Sequence, residues 1–149
     1  MDKIIKVPLS QALRDLILRR QYYLTFVSGT ITWPKDWYQP GDVPAVISVQ
    51  ASKWVSSPGM FSSAVLVRQG QLTDVTVTDD LCSVDYIIVG LPMNTEFFVE
   101  VRVKDQSKFH APGNTGVSFS PTGDWIFKFS GNDASRSGVN FRGAWQQVN

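Results

Sequence analysis

Cysteine, histidine and glutamate are almost absent from this chain of 149 residues. Cys82 is the single cysteine, so neither an intrachain disulfide nor a cysteine-based metal cage can form. The lack of disulfides is typical of proteins assembled in a reducing cytosol. A Ser–His–acid triad would have to use His110, the single histidine, and no nucleophile motif surrounds it. We therefore expect a protein that is not an enzyme and that holds no cofactor or metal.

The chain also has little net charge and no long apolar runs. The formal net charge is +1, which offers no long-range attraction to nucleic acid or to an anionic membrane. No run is long enough for a membrane span, and the N-terminus lacks the apolar core of a signal peptide. The two glutamates, Glu96 and Glu100, argue against a glycosidase pair. We expect a soluble chain without nucleic-acid or membrane partners.

The residues that are abundant favour β-strands. Valine occurs 18 times and threonine 9 times, against 7 alanines, and 19 glycines and prolines punctuate the chain. Gln69-Gly70-Gln71 is typical of a hairpin connection. We predict an all-β antiparallel sandwich of jelly-roll or immunoglobulin/fibronectin-like type. Nine strands are expected, at 22–33, 45–51, 63–68, 72–78, 85–91, 95–104, 116–120, 124–130 and 138–145.

The N-terminal residues follow a different period. Ser10 is a candidate N-cap, and Leu13, Leu16 and Ile17 recur at helical spacing. This pattern predicts one short amphipathic helix. We accordingly divide the chain into a helical docking segment at 1–21 and a β-sandwich at 22–149. The helix either plugs one end of the sandwich or docks onto a neighbouring subunit.

The segment Glu96 to Lys104 has the clearest alternation in the chain. A strand places every second side chain on one face, so its four alternate apolar residues should face the core. Those residues are Phe97, Val99, Val101 and Val103. Phe98 then points outward, and we expect a loop, the N-terminal helix or another subunit to cover it.

Large rings provide the candidate binding residues. Trp33, Trp37 and Tyr38 lie in or beside one long loop, and Phe109 and His110 lie in another. Trp54 and Phe98 complete the predicted set. Rings stack on sugar faces, anchor protein interfaces and fill cores, so all three roles remain open. Calcium binding by the loops at Asp79-Asp80 or Asn132-Asp133 is a minor alternative.

The segment Tyr86 to Val103 resembles the corner between strands E and F of fibronectin type III domains. Leu91, Thr95 and Phe97 stand at the spacing of that corner. Phe97 replaces the tyrosine whose hydroxyl bonds the main chain there. The resemblance implies a crossing between two sheets of an antiparallel sandwich.

The chain as a whole resembles small phage virion accessory proteins, such as tail, fibre-tip or capsid-decoration proteins. A short N-terminal segment, a cysteine-poor body and an aromatic, glycine-rich stretch at 123–145 carry the resemblance. It implies a structural protein of the virion, or of the host cytoplasm during assembly. Its partners would be copies of itself or other virion proteins. The alternative is a lectin that binds a cell-surface glycan through Trp33, Trp37 and Tyr38.

Overall fold

Strands account for nearly all regular structure in the described part of the chain. The computed structural model describes residues 25–37, 46–56, 63–109 and 116–145. Besides one turn of 3-10 helix, Gln106–Lys108, these residues form eleven strands. They are β1 (Phe26–Pro34), β2 (Ile47–Val55), β3 (Ser63–Gln69), β4 (Gln71–Leu72), β5 (Thr76–Val77), β6 (Leu81–Val89), β7 (Glu96–Val103), β8 (Val117–Pro121), β9 (Ile126–Lys128), β10 (Ser135–Arg136) and β11 (Phe141–Trp145).

The strands form two sheets that pack together, as in a β-sandwich. The first sheet has the order β4-β6-β1-β11-β8, with β5 beside β6 and β10 beside β1. The second has the order β3-β2-β7-β9. The all-β prediction is therefore confirmed. The helix predicted at 1–21 lies outside the described residues.

The core lies between the two sheets and comes from the alternating inner faces of their strands. Ile47, Val49 and Ala51 of β2 are buried there, and they alternate along the strand predicted at 45–51. On β7 the same holds for Phe97 and Val99, and the remaining predicted inner residues, Val101 and Val103, pack against the core partly buried. The period-two pattern therefore located the inner faces of both strands.

Two pairings in the first sheet correct the prediction of a purely antiparallel sandwich. β1 runs parallel to both β10 and β11, with Ile31 opposite Phe141. Parallel neighbours need a long connection, and most of the domain separates β1 from β11 in sequence. Sequence alternation reports which faces are buried and carries no information on strand direction.

The predicted hairpin at Gln69-Gly70-Gln71 is wrong. β3 pairs with β2 in the second sheet, whereas β4 pairs with β6 in the first. The chain therefore crosses between sheets at Gly70, whose N–H donates to the carbonyl of Val49 at 2.8 Å. A Cβ at Gly70 would lie 2.6 Å from Cγ1 of Val49 and 2.9 Å from Cγ1 of Ile88. A glycine is needed at this crossing because the two sheets leave no room for a side chain.

The predicted strand at 72–78 is also divided. β4 and β5 both pair with β6, and Thr73 to Val75 between them lie outside the ladder. The hydroxyl of Thr73 accepts a hydrogen bond from the N–H of Asp85 at 2.9 Å. This side-chain bond replaces a ladder bond, as threonine hydroxyls often do at strand interruptions.

Candidate functional site

The outer face of the second sheet carries four of the nine exposed large apolar side chains found among the described residues. Trp54, Leu66 and Ile126 are about half exposed or more, at 62%, 52% and 49%. Strand register places Phe98 beside Ile126, and Trp125 precedes it. Single exposed apolar residues are ordinary, but a contiguous group indicates a contact surface. We call these five residues the apolar face: Trp54, Leu66, Phe98, Trp125 and Ile126.

An aromatic stack forms the centre of the apolar face. The rings of Trp54 and Phe98 lie nearly parallel, with centroids 5.1 Å apart and planes inclined by 26°. Trp125 meets the other side of Phe98 edge-on at 5.8 Å. Only 4% of Phe98 is exposed, so a neighbouring strand and a loop residue contribute to its cover. This agrees with the expectation that its outward ring would be covered.

A polar network adjoins the aromatic stack on the same face. The amide of Gln50 donates to Oγ of Ser52 at 2.9 Å and to Oε1 of Glu100 at 3.0 Å. Arg102 pairs with the same carboxylate oxygen at 2.9 Å. Gln50 and Ser52 are buried, so the network is fixed in place. The sheet thus presents a rigid apolar area next to a row of hydrogen-bonding groups.

The end of the hairpin formed by β2 and β3 is exposed on both of its sides. We call Ser52–Val55 and Ser63–Leu66 the β2–β3 arm. Trp54 and Leu66 belong to the apolar face on one side. Val55 and Val65 alternate with them and therefore lie on the opposite side, where 37% and 43% of their surface is exposed. The first sheet does not cover this end of the second.

Two residues of the predicted binding set lie in the core. Trp33 has no exposed surface, and its ring packs edge-on against Phe109 and Phe119 with centroids 6.3 and 6.1 Å away. Phe109 is itself buried. Trp37 is partly buried and packs against the core. In this fold, therefore, neither Trp33 nor Phe109 offers a ring face to a ligand.

The structure brings the predicted residues together in two pairs, Trp54 with Phe98 on the apolar face and Trp33 with Phe109 in the core. Tyr38 and His110 lie outside the described residues. Leu66 and Ile126 of the apolar face were missed, because period-two alternation gives no reason to expect exposed aliphatic residues at those positions. Trp125 lies in the aromatic stretch at 123–145 but was not among the candidates. The sequence signal that could have found Trp125 and Ile126 was the predicted outward Phe98, because β9 lies next to the strand that carries it.

Titratable groups do not form a second site in the described ranges. No three His, Cys, Asp or Glu side chains of those ranges lie close enough to hold a metal ion.

Burial raises the pKa of Cys82 above its ordinary value, although nearby Lys35 opposes the shift. Such a thiol remains protonated and is a poor nucleophile. Nη1 and Nη2 of Arg136 donate hydrogen bonds to the two carboxylate oxygens of Asp133. These hydrogen bonds lower the pKa of the Asp133 carboxyl.

Comparison with known proteins adds no relative from which a role could be transferred. No family model, curated protein or solved structure matches this chain. Within the described part, no helix is long and apolar enough to cross a membrane. The function therefore has to be argued from the apolar face and the strands that carry it.

Proposed function

We propose that this chain is a non-enzymatic assembly protein that docks or oligomerises through its apolar face. The most concrete form of this role is a phage virion accessory component of a tail, fibre or capsid. The single observation that carries the proposal is the contiguity of Trp54, Leu66, Trp125 and Ile126 around the covered ring of Phe98. Leaving such an area in water is unfavourable, and burying it against a partner removes that cost.

The composition of the face supports a protein partner. Protein interfaces have an apolar centre enriched in aromatic residues and a polar rim. Trp54 and Trp125 supply the centre, and the network of Gln50, Glu100 and Arg102 supplies one rim. Because the stacked rings of Trp54 and Phe98 lie on adjacent strands, they lose little conformational freedom on docking.

We also propose an immunoglobulin- or fibronectin-like arrangement for the sandwich in preference to a jelly roll. In that family strand E lies beside B in one sheet, and C, F and G form the other. Here β6 lies beside β1, while β2, β7 and β9 are consecutive neighbours. The connection from β6 to β7 passes between sheets through buried Leu91, as the corner resemblance implies. The parallel β11 is an addition to that pattern.

Sedimentation velocity over a concentration series tests the assembly role. We expect wild-type protein to form species heavier than one chain. The double variant Trp54→Ser, Ile126→Lys should associate more weakly, because both side chains are exposed and belong to the face. Val77→Lys is a matched control, since Val77 is equally exposed on β5 of the other sheet. A wild-type protein with the mass of one chain at every concentration would contradict the proposal.

Carbohydrate binding is the second candidate. The observation that favours it is the exposed ring of Trp54 beside the hydrogen-bonding groups of Gln50, Glu100 and Arg102. Sugars bind proteins through stacking on an aromatic plane combined with hydrogen bonds to hydroxyls. Of the platform predicted at Trp33, Trp37 and Tyr38, the ring of Trp33 is buried and Tyr38 lies outside the described residues.

A glycan array separates the two candidates. If the face binds sugar, wild-type protein should retain specific glycans, and Trp54→Ala should lose them. Glu100→Gln should weaken the same glycans, because it removes the charged acceptor of the network. A wild-type protein that retains no glycan on the array would exclude this role and leave assembly as the remaining proposal.

A further inference from the structure

β3 forms one edge of the second sheet. Among the described residues it pairs only with β2, so its other side has main-chain donors and acceptors without a strand partner. Its sequence, Ser-Ala-Val-Leu-Val-Arg-Gln, contains no proline and a single charge at Arg68. Natural proteins usually protect such an edge with charges, proline or a covering segment, because it readily pairs with another strand.

The regular part of this edge is short and apolar. Ala51 lies opposite Arg68, and Ser52 lies opposite Leu66, so Val67 is left over as a bulge. A bulge bends the strand and ends regular pairing. The segment that can accept another strand is therefore the part before the bulge, centred on Val65, where exposed valine and leucine side chains occupy opposite sides.

We propose that β3 pairs antiparallel with β3 of a second copy of this chain, around a two-fold axis at Val65. The two four-stranded sheets would then form one continuous sheet. This inference rests on the proposed assembly function and names its first partner. Main-chain hydrogen bonds at the edge would supply the pairing, as in other cases of strand addition.

Side-chain complementarity favours this register. Around an axis at Val65, Val65 lies opposite its own copy and Ala64 lies opposite Leu66 of the second copy. Small and large side chains thus meet on the outer side, and two valines meet on the inner side. Trp54 is the β2 partner of Ala64, so the incoming Leu66 would also cover part of its exposed ring.

Charge also favours this register over its neighbours. With the axis at Val65, the two Arg68 residues are six positions apart along the ladder, roughly 20 Å. That exceeds the screening length of about 8 Å at physiological salt. An axis at Val67 would bring the two guanidinium groups to within roughly 7 Å along the ladder, and like charges so close oppose pairing.

The pairing would enlarge the apolar face. Strands joined edge to edge continue the same sheet, so the outer sides of both copies would point in one direction. The two copies of Trp54 and Leu66 would lie near the axis, and Trp125 and Ile126 farther out. The combined apolar face of two copies suits docking onto a larger particle better than the face of one copy does.

Charge reversal at the axis tests this pairing. Val65 is exposed and lies on the side of β3 opposite to the apolar face, so its substitution leaves that face intact. In sedimentation velocity, Val65→Lys alone and Val65→Glu alone should each lose the species of two chains, because like charges meet at the axis. An equimolar mixture of the two variants should recover it. A mixture that stays at the mass of one chain would overturn the inference.

A cysteine variant provides a second test that does not depend on how charges affect folding. Directly opposed residues of an antiparallel pair have Cα atoms about 4.5–5.5 Å apart, which suits a disulfide. Val65→Cys should therefore cross-link two chains under a glutathione redox buffer. Val77→Cys, on an exposed valine of the first sheet, should not. Equal cross-linking of both variants would show random collision and overturn the pairing.

The outcomes separate this inference from the proposed function. Association that is lost in Trp54→Ser, Ile126→Lys but unaffected by charges at Val65 would overturn the edge pairing and leave the assembly role in place. Association that is lost with charges at Val65 and recovered in the mixture supports both. A wild-type protein of one-chain mass throughout the concentration series would overturn both.

Discussion

Gly70 lies where the chain leaves the second sheet for the first, in a space that has no room for a Cβ. A methyl group there would overlap Val49 and Ile88, which belong to different sheets and cannot both move away. We expect Gly70→Ala to lower the free energy of unfolding by about 1–3 kcal/mol, the usual cost of overpacking. Urea denaturation measures the change.

Gly123 provides the matched control for this substitution. Apart from Gly123 and its two chain neighbours, no residue has an atom within 4 Å of the Cβ position of Gly123, so Gly123→Ala meets no obstacle. Its effect on the free energy of unfolding should be small, and slightly stabilising if the unfolded chain loses freedom. Equal destabilisation by both substitutions would contradict the steric explanation for Gly70.

Tyr86 is a buried phenol that should make stability depend on alkaline pH. Burial raises its pKa well above the ordinary value of 10.0, and its hydroxyl donates to the carbonyl of Val139 at 2.6 Å. Above about pH 10 the unfolded chain releases this proton and the folded chain retains it. The free energy of unfolding should then fall by up to about 1.4 kcal/mol per pH unit.

Tyr86→Phe tests this linkage. The variant loses a buried hydrogen bond, which should cost about 1–3 kcal/mol at neutral pH. Its stability should decline less steeply above about pH 10 than that of wild type, measured by urea denaturation at each pH. The decline that begins near pH 9 should remain, because the raised pKa of Cys82 produces it. Parallel curves above pH 10 would contradict the role of Tyr86.

Single residues also show what sequence could not predict about the site. Trp33 and Trp54 were equal candidates, because both are tryptophans of the predicted binding set. Trp33 is buried by Phe109 and Phe119, which are far away in sequence, whereas Trp54 lies on the outer face of the second sheet. The exposure of each ring depends on which segments pack against its side of the sheet, and a local sequence pattern does not contain that information.

At the scale of elements, β7 links the core to the apolar face through two adjacent phenylalanines. Phe97 packs inward against Phe127 and Phe129, and Phe98 lies outward between two tryptophans. Both rings are almost fully buried. The strand therefore contributes to stability from both of its sides, although only one side faces the sandwich core.

We expect the outward ring to be as important to stability as an ordinary core residue. Phe98→Ala should lower the free energy of unfolding by about 3 kcal/mol, because it leaves a cavity between Trp54 and Trp125. Trp54→Ala should cost about 1 kcal/mol or less, since most of its surface is already exposed. Urea denaturation of both variants checks the ranking. A larger loss for Trp54→Ala would contradict this view of the face.

Elements with strong alternation were predictable, and the connections between them were not. β2 and β7 were located because each buries every second residue in one continuous core. The crossing at Gly70 was read as a hairpin, because a glycine between two strands is a turn signal in either case. Only the positions of Val49 and Ile88 on opposing sheets distinguish the two, and both are remote in sequence from Gly70.

At the scale of the whole molecule, low charge and an exposed apolar face occur together. A formal net charge of +1 gives little repulsion between copies and little attraction to charged partners. Ion pairs on the face are few among the described residues, and the pair of Arg102 with Glu100 is partly solvent-accessible, so it contributes little. Association of this chain should therefore be driven by burial of apolar surface.

If burial of apolar surface drives association, the effect of different salts on association can be predicted. Sodium chloride should leave the dissociation constant of wild-type association nearly unchanged, and ammonium sulfate should lower it, because excluded salts favour apolar burial. Dilution calorimetry at several temperatures should give a negative heat-capacity change for association. Ile126→Lys places a charge on the face and should weaken association at every salt concentration. Steep weakening of wild-type association by sodium chloride would show instead that charged groups hold the copies together.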